Sequence, residues 1–362
     1  MRVLTPIFRT FAKYHARSTA RHYDRDHALE AAEAYQRIVH AAPDHALSPA
    51  TRRDIRKHAK KRFGGAEYAP WLEVYAAWQG RFVPGCIPDN YFGRYIARAF
   101  GNTLIKAKNT TVPLLLPRSP FPDLAYVIRG TLFDRDFRPI EPKPFARKAF
   151  EAYPYLYVKA QDSLRGHGVQ RATPETLSEI LSATENACVQ YPVTPHSELS
   201  RLSPDAVPTL RITTTNVGGH VRPVGATLRL GQMGETHVQS QSAMRISVDL
   251  GSGQLFATGA LANWTPIRSH PDTGHVFSHI TIPNFHEARR LVVELHGRLP
   301  HFFVLGWDVV VTNRGDIKVF EVNSGHTDIK FHEANHGPIF DTPRLDRMHV
   351  KGAIAAHLPD RF

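Results

Sequence analysis

Between Phe303 and Val322 the chain carries two apolar runs, Phe303–Thr312 and Ile317–Val322, joined by Asn313-Arg314-Gly315-Asp316. The turn residues predict a β-hairpin. A hairpin constrains more than its own path, because side chains alternate between faces with period two and directly opposed residues sit about 5 Å apart. If Thr312 pairs with Ile317, Asp308 falls opposite Glu321, and Asn323 shares their face. Trp307, Val309, Val311, Phe320 and Val322 make the other face apolar, so the hairpin covers a core. Like charges opposed across a sheet are destabilising, so this register calls for a cation between them. Three hard oxygen donors suit Mg²⁺ or Mn²⁺ far better than zinc. The competing reading is an edge hairpin whose polar face is simply solvated.

A chain of 362 residues, 42% hydrophobic, can bury a sizeable core in two or three closely packed subdomains, which excludes disorder as the default. Its two cysteines, Cys86 and Cys188, are far apart and lack metal-type spacing, so neither a disulfide framework nor a zinc ribbon is expected. No long apolar segment follows Arg2 and Arg9, and no stretch approaches membrane-spanning length. A reducing, cytoplasmic setting without membrane association is the expectation. Much of the net charge of +12 lies before Gly64, in Arg52-Arg53-Asp54-Ile55-Arg56-Lys57 and Lys60-Lys61-Arg62. Basic runs on helices are usually solvated faces, and this one lacks interleaved aromatics or a helix-turn-helix framework, so nucleic acid is disfavoured as a partner.

The first third reads as helical, with Ser48-Pro49 as an N-cap and first-turn proline, and Leu29, Ala32, Tyr35, Ile38 and Val39 at helical spacing. From about Thr110 the texture changes to short β-type runs, including Val112–Leu116 and Tyr155–Val158. A helix is expected after Thr173-Pro174, followed by strands over Thr209–Thr215, Val221–Leu230, Met244–Leu250 and Leu255–Thr258. Asn284 with Glu287 resembles a capping box that opens a helix through Leu291, Val292 and Leu295. Three regions result: a helical basic region 1–100, a small subdomain 101–192 and a C-terminal subdomain 193–362.

A second chemical feature is the apolar strand ending at Lys159, which leads through Ala160–Arg165 into Gly166-His167-Gly168. Such a loop can bring backbone N–H groups to phosphate oxygens while the lysine supplies charge. It is neither a P-loop nor a spaced G-x-G-x-x-G, and a lone match of this kind is more often an ordinary surface turn. His332-Glu333-Ala334-Asn335-His336 matches the H-E-x-x-H zinc motif, but Gly337-Pro338 follows at once and would stop the helix that must present both imidazoles. His270, His275 and His279 read as loop and strand residues, and Cys86 as a structural thiol.

Taken in order, these features resemble those of ATP-grasp enzymes, specifically the sugar-transfer-associated branch. They are the lysine strand with its glycine loop, Val207-Pro208-Thr209-Leu210-Arg211, Thr227-Leu228-Arg229-Leu230-Gly231, Gly306-Trp307-Asp308-Val309 and Glu321-Val322-Asn323. Ile87-Pro88-Asp89, Val248-Asp249-Leu250, His270-Pro271-Asp272-Thr273-Gly274 and Ile282-Pro283-Asn284 are further echoes. The resemblance runs from about Phe82 to Phe340. It implies an α+β ATP-grasp fold, two α+β subdomains clamping ATP, preceded by the mostly helical N-terminal region. It also implies a carboxylate–amine ligase that works through an acyl-phosphate on a small carboxylate substrate and an amine acceptor, with ATP and Mg²⁺ (or Mn²⁺) as cofactors. By the same resemblance, Lys159 contacts ATP phosphates, the Gly166–Gly168 loop closes over them, and Gln190 and Tyr191 flank adenine. Lys106 or Lys108 supplies an earlier nucleotide lysine, Arg211 and Arg229 face the phosphate or acyl-phosphate, and Asp308, Glu321 and Asn323 bind the metal. The chain departs from the family pattern at Lys159-Ala160, where Lys-Pro is usual, and in Glu235–Ala243, which lacks the Asp-Asn and Gly-Gly pairs expected near the acceptor. The alternative function is a non-catalytic nucleotide- or nucleic-acid-binding protein acting through the basic N-terminal region.

Overall fold

The computed structural model describes residues 4–101, 110–161, 168–235, 237–238, 242–340 and 345–350. These residues divide into two compact units, one taking those described up to 99, 263–266 and those described from 328 onward, the other those described between 100 and 262 and 267–327. Residues 328–340 thus group with the helical N-terminal region.

In the first unit, α1 (Leu4–Ala41) is followed by α2 (Pro49–Phe63) and α3 (Ala69–Gln79). The Ser48 side chain caps α2 by accepting from the Thr51 amide at 3.1 Å, with Pro49 in the first turn. Gly64 ends it at φ +85, a conformation that costs glycine little. The buried stripe Ile55, Ala59, Phe63 has helical spacing. Helix α3 is apolar nearly all round and runs through the centre of the unit, burying Trp71, Leu72, Val74, Tyr75, Ala76 and Ala77. The helix Lys330–His336 lies against it, with Trp78 donating to the Asn335 side-chain oxygen (2.9 Å) and Gln79 to the Glu333 backbone carbonyl (3.1 Å).

The second unit contains two antiparallel sheets. In the smaller one, β1 (Asp123–Ile128), β2 (Thr131–Asp134), β3 (Leu156–Ala160), β4 (Val169–Ala172) and β5 (Asn186–Gln190) are ordered β2-β1-β5-β3-β4. Its apolar residues pack with Ala149, Leu177 and Leu181 of the helices Pro142–Ala152 and Leu177–Ser182. The larger sheet comprises β6 (Thr209–Val217), β7 (His220–Leu230), β8 (Met244–Ser247), β9 (Gly259–Ala260), β10 (Pro266–Ile267), β11 (Val304–Val311) and β12 (Ile317–Ser324). Its order is β10-β9-β8-β7-β6-β11-β12. The helix Phe285–Gly297 closes one face with Phe285, Ala288, Val292 and Leu295.

Buried under that helix, the Trp307 indole N–H donates to Thr214 Oγ1 (2.8 Å), which sits 2.7 Å from His296 Nδ1. His296 Nε2 lies 2.9 Å from the Phe302 carbonyl. A neutral imidazole protonated on Nε2 satisfies the whole chain, with Thr214 donating to Nδ1. Burial lowers the His296 pKa to about 4, against the opposing bond to Phe302.

Three local expectations are corrected. Val112–Leu115 is a short helix rather than a strand, with Pro113 in its first turn, where a missing N–H costs nothing. Of Leu255–Thr258 only Leu255 pairs, in an isolated bridge to Val248. Asn284 precedes the helix Phe285–Gly297 but caps nothing with its side chain. Its backbone is left-handed (φ +49), and its amide donates instead to the Gly315 carbonyl at 3.0 Å.

Candidate functional site

The β11–β12 hairpin forms as expected, but by a different route. Its loop is one residue tighter than the sequence suggests, with Thr312 N–H donating to Asp316 O (2.8 Å), Val311 opposite Ile317, and Gly315 at φ +82. That register alone would set Asp308 opposite Phe320. A β-bulge at Phe320 absorbs the difference: Val309 pairs with Val319, and the next pair is Asp308 with Glu321. Gly306 then opposes Asn323. The bulge also corrects the expected core, since Val319 joins the buried cluster in place of Phe320, which is only half-buried.

On the other side of β11, Arg211 of β6 is the register partner of Asp308. Its Nε donates to one carboxylate oxygen (2.6 Å) and a terminal nitrogen to the other (2.8 Å), a fork geometry that only arginine provides. A third guanidinium nitrogen reaches the Thr327 carbonyl at 3.4 Å. A β-carbon on Gly306 would stand 3.3 Å from that same nitrogen, so the glycine leaves space for the fork. With its amide oriented by its neighbours, Asn323 accepts from Arg211 (3.2 Å) and donates to Glu321 (3.3 Å). The cation demanded by the opposed carboxylates is thus supplied on one side by the protein itself.

The electrostatics follow. Burial pushes the Asp308 carboxyl up, but the charge and hydrogen bonds of Arg211, with Arg229 and Lys159, outweigh it and hold the pKa below the usual carboxylate range. Glu321 moves the other way: incomplete hydration and then the Asp308 charge raise it, against Lys159, Arg211 and Arg229. Glu321 keeps accessible surface on β12. The donor set fits a hard divalent cation. Two carboxylates converge with an amide, their repulsion is unresolved at Glu321, and a carboxylate has about four acceptor sites, so the fork on Asp308 leaves capacity. Among the described residues no three His, Cys, Asp or Glu side chains gather around a metal position.

The smaller sheet contributes the lysine. The Lys159 ammonium lies 4.5 Å from the centroid of the Phe320 ring, a cation–π contact that exists because the bulge turns Phe320 away from the core. The Phe320 carbonyl accepts from Gln190 at 3.3 Å, and the same amide nitrogen donates to Asp123 at 2.7 Å. Tyr191 stacks on Tyr153 with centroids 5.1 Å apart, and its amide donates to Pro122 O (3.0 Å). Gly168 is buried and its carbonyl accepts from the Ala160 amide at 2.9 Å. Arg229 follows on the Arg211–Thr227 row by one pleat of β7, on the same face. Lys106, Lys108 and Gly166 lie outside the described residues.

Two participants escape a reading of the sequence. Alternation assigns Phe320 to the core, because a bulge leaves no mark in an alternating pattern. Asp123 is buried, held by Gln190 and by the Tyr126 hydroxyl (2.9 Å). Burial raises its pKa against those two bonds and Lys159. A lone carboxylate inside the apolar run Phe121–Val127 is the available signal. The H-E-x-x-H segment is the short helix Lys330–His336, which carries both histidines before Gly337 ends it, contrary to the expectation that the helix would stop short; Glu333 is fully buried there, and among the described residues no three His, Cys, Asp or Glu side chains gather around a metal position.

The family described as sugar-transfer associated ATP-grasp matches residues 163–343, half of the chain. No curated protein matches the sequence. Among solved structures, D-alanyl-alanine synthetase A from Vibrio cholerae is 13% identical with a TM-score of 0.40, over 79% of this chain and 72% of that one. The D-alanine-D-alanine ligase from Coxiella burnetii is 11% identical (TM-score 0.37), over 68% of this chain and 57% of that one. The biotin carboxylase domain of Hydrogenobacter thermophilus 2-oxoglutarate carboxylase, in complex with MgADP, ADP and bicarbonate, is 13% identical (TM-score 0.41), over 73% of this chain and 47% of that one. The chain therefore spans only about half the length of the last two.

Proposed function

Because this chain belongs to the sugar-transfer associated ATP-grasp family and has its α+β fold, we propose that it is an ATP-dependent ligase joining a small carboxylate to an amine through an acyl-phosphate. The observation that carries the reading is the pairing of Asp308 with Glu321, with Asn323 beside them and Arg211 locked in register on the opposite side. In this reading Asp308, Glu321 and Asn323 hold Mg²⁺, which when bound offsets charge on the transferring phosphoryl group. Lys159 meets the ATP phosphates from the other sheet. Arg211 and Arg229 lower the electrostatic cost of bringing a carboxylate nucleophile to a polyanion. Gln190 and Tyr191 flank adenine, and Asp123 fixes the Gln190 amide. The glycine loop that includes Gly168 excludes water from the activated acid. The altered Glu235–Ala243 segment points to an acceptor different from that of other family members, with an amino acid, peptide or amino sugar as the amine. A cytoplasmic location agrees with the cysteine usage, and no helix among the described residues is long and apolar enough to cross a membrane.

The test is calorimetry of ATP with Mg²⁺ on the wild type and on Glu321→Ala, followed by phosphate release across a panel of acids and amines. Mg²⁺-dependent binding that disappears in the variant, with phosphate released only when both an acid and an amine are present, is the expected result. Equal nucleotide binding by the two proteins would remove the metal assignment.

A further inference from the structure

The helical unit contains a cavity with no part in the chemistry above. It measures about 600 Å³ and opens between α1, α2 and α3. That volume lies within the range of about 300–1,000 Å³ in which small organic ligands are held. One wall is the basic face of α2: Arg52, Arg56 and Lys60 recur at intervals of four and span about 12 Å of helix. The facing wall is smooth, made by Ala28, Ala31 and Ala32 of α1.

Both arginines, Arg52 half-buried and Arg56 exposed, face one buried carboxylate. Glu73 of α3, 8% exposed, faces both, at 3.3 Å from Arg52 and 3.7 Å from Arg56, through different carboxylate oxygens. The Arg52 guanidinium also lies 4.3 Å above the Tyr35 ring. A guanidinium has five N–H donors, so one shared carboxylate orients the pair and leaves donors for a ligand. With Glu67 also on the rim, three cations and two carboxylates leave a net charge of +1 in the cavity. This arrangement selects a compact oxyanion on an organic body. The half-open concave shape and alanine wall suit a small molecule better than a duplex backbone or a lipid surface, which need a convex or flat basic face.

We propose that this cavity binds a small organic phosphate, its phosphate taken by Arg52, Arg56 and Lys60 and its body laid along the α1 alanines. Inorganic phosphate is the probe. In the full-length protein at constant ionic strength, Lys60 acetylation by acetic anhydride is followed by mass spectrometry, with Lys143 and Lys148 as internal controls. Millimolar phosphate should slow modification of Lys60 at least threefold and saturably, leave the controls unchanged, and lose this effect in Arg56→Ala. Arg56 and Lys60 are exposed, so neither change threatens the core. A sugar phosphate that protects at lower concentration than phosphate would support an organic ligand. Equal modification with and without phosphate, protection that survives Arg56→Ala, or protection reproduced by the same concentration of chloride would overturn the proposal. So would duplex DNA that shields Lys57 and Lys61 together with Lys60 where phosphate does not.

Discussion

Arg211 and Asp308 are register partners on adjacent strands and are joined by a two-point hydrogen-bonded fork, with both groups almost wholly buried. The fork leaves Glu321, opposite Asp308 on the other side, as the acid with unresolved repulsion. The two carboxylates therefore differ in their electrostatics, Asp308 held below the usual carboxylate range and Glu321 raised above it.

Removing the arginine strands a buried charge. Arg211→Ala should cost about 3–5 kcal/mol of stability, the usual consequence of breaking a buried ion pair from one side. Arg211→Lys should recover only part of this, because a point charge cannot make the fork. Urea unfolding of the three proteins checks both statements, and a loss below about 1 kcal/mol in Arg211→Ala would contradict the buried-pair account.

Glu321 should behave oppositely. Its folded pKa is raised, so its contribution to stability is present below the unfolded carboxylate pKa and is lost as pH rises through the folded value. At pH 7 without metal, Glu321→Gln should melt at a higher temperature than the wild type while losing Mg²⁺-dependent ATP binding. At a pH below the unfolded value the two melting temperatures should converge. A variant less stable than wild type at pH 7 would show that the Asp308–Glu321 repulsion is already relieved.

Phe320 links the acidic hairpin to the lysine. Phe320→Ala should weaken Mg-ATP binding about 2- to 5-fold, the range expected for a partly exposed cation–π contact of about 0.5–1 kcal/mol. Thermal stability should be nearly unchanged, because the residue lies outside the buried cluster. Calorimetry reads the first quantity and a melt the second, and a large stability loss with intact affinity would return Phe320 to the core.

His296 makes a pH prediction far from the site. Its folded pKa is lowered to about 4, so the folded state binds fewer protons there than the unfolded chain. The fold should lose stability as pH falls below about 6.5, by about 3 kcal/mol once pH nears 4. His296→Gln should flatten that part of the stability–pH curve. An unchanged slope would mean that the imidazole is not held neutral.

The acidic face of the hairpin is legible in the sequence because alternation along strands is a local property. Once two apolar runs and a turn are recognised, parity places Asp308, Glu321 and Asn323 on one face. The capping of α2 by Ser48 is legible for the same reason, since its partner is three residues away. The hairpin pattern nevertheless reaches the right pair through the wrong loop. A turn one residue tighter and a bulge at Phe320 cancel, and parity cannot distinguish that pair of changes from none.

The linear chain therefore carries the residue types and their faces: a lysine strand, two arginine strands and an acidic hairpin, in family order. Assembly alone makes Arg211 chelate Asp308, rests Lys159 on Phe320, and sets Asp123 to hold Gln190. These contacts join residues 97, 161 and 67 positions apart. Period-two patterning acts between neighbours along one strand. Which strands lie side by side depends on burying Trp307, Val309 and Val311 in one sheet and Ala125 and Val127 in the other. Those apolar faces find their partners only as each sheet assembles, so no local pattern can announce the neighbours.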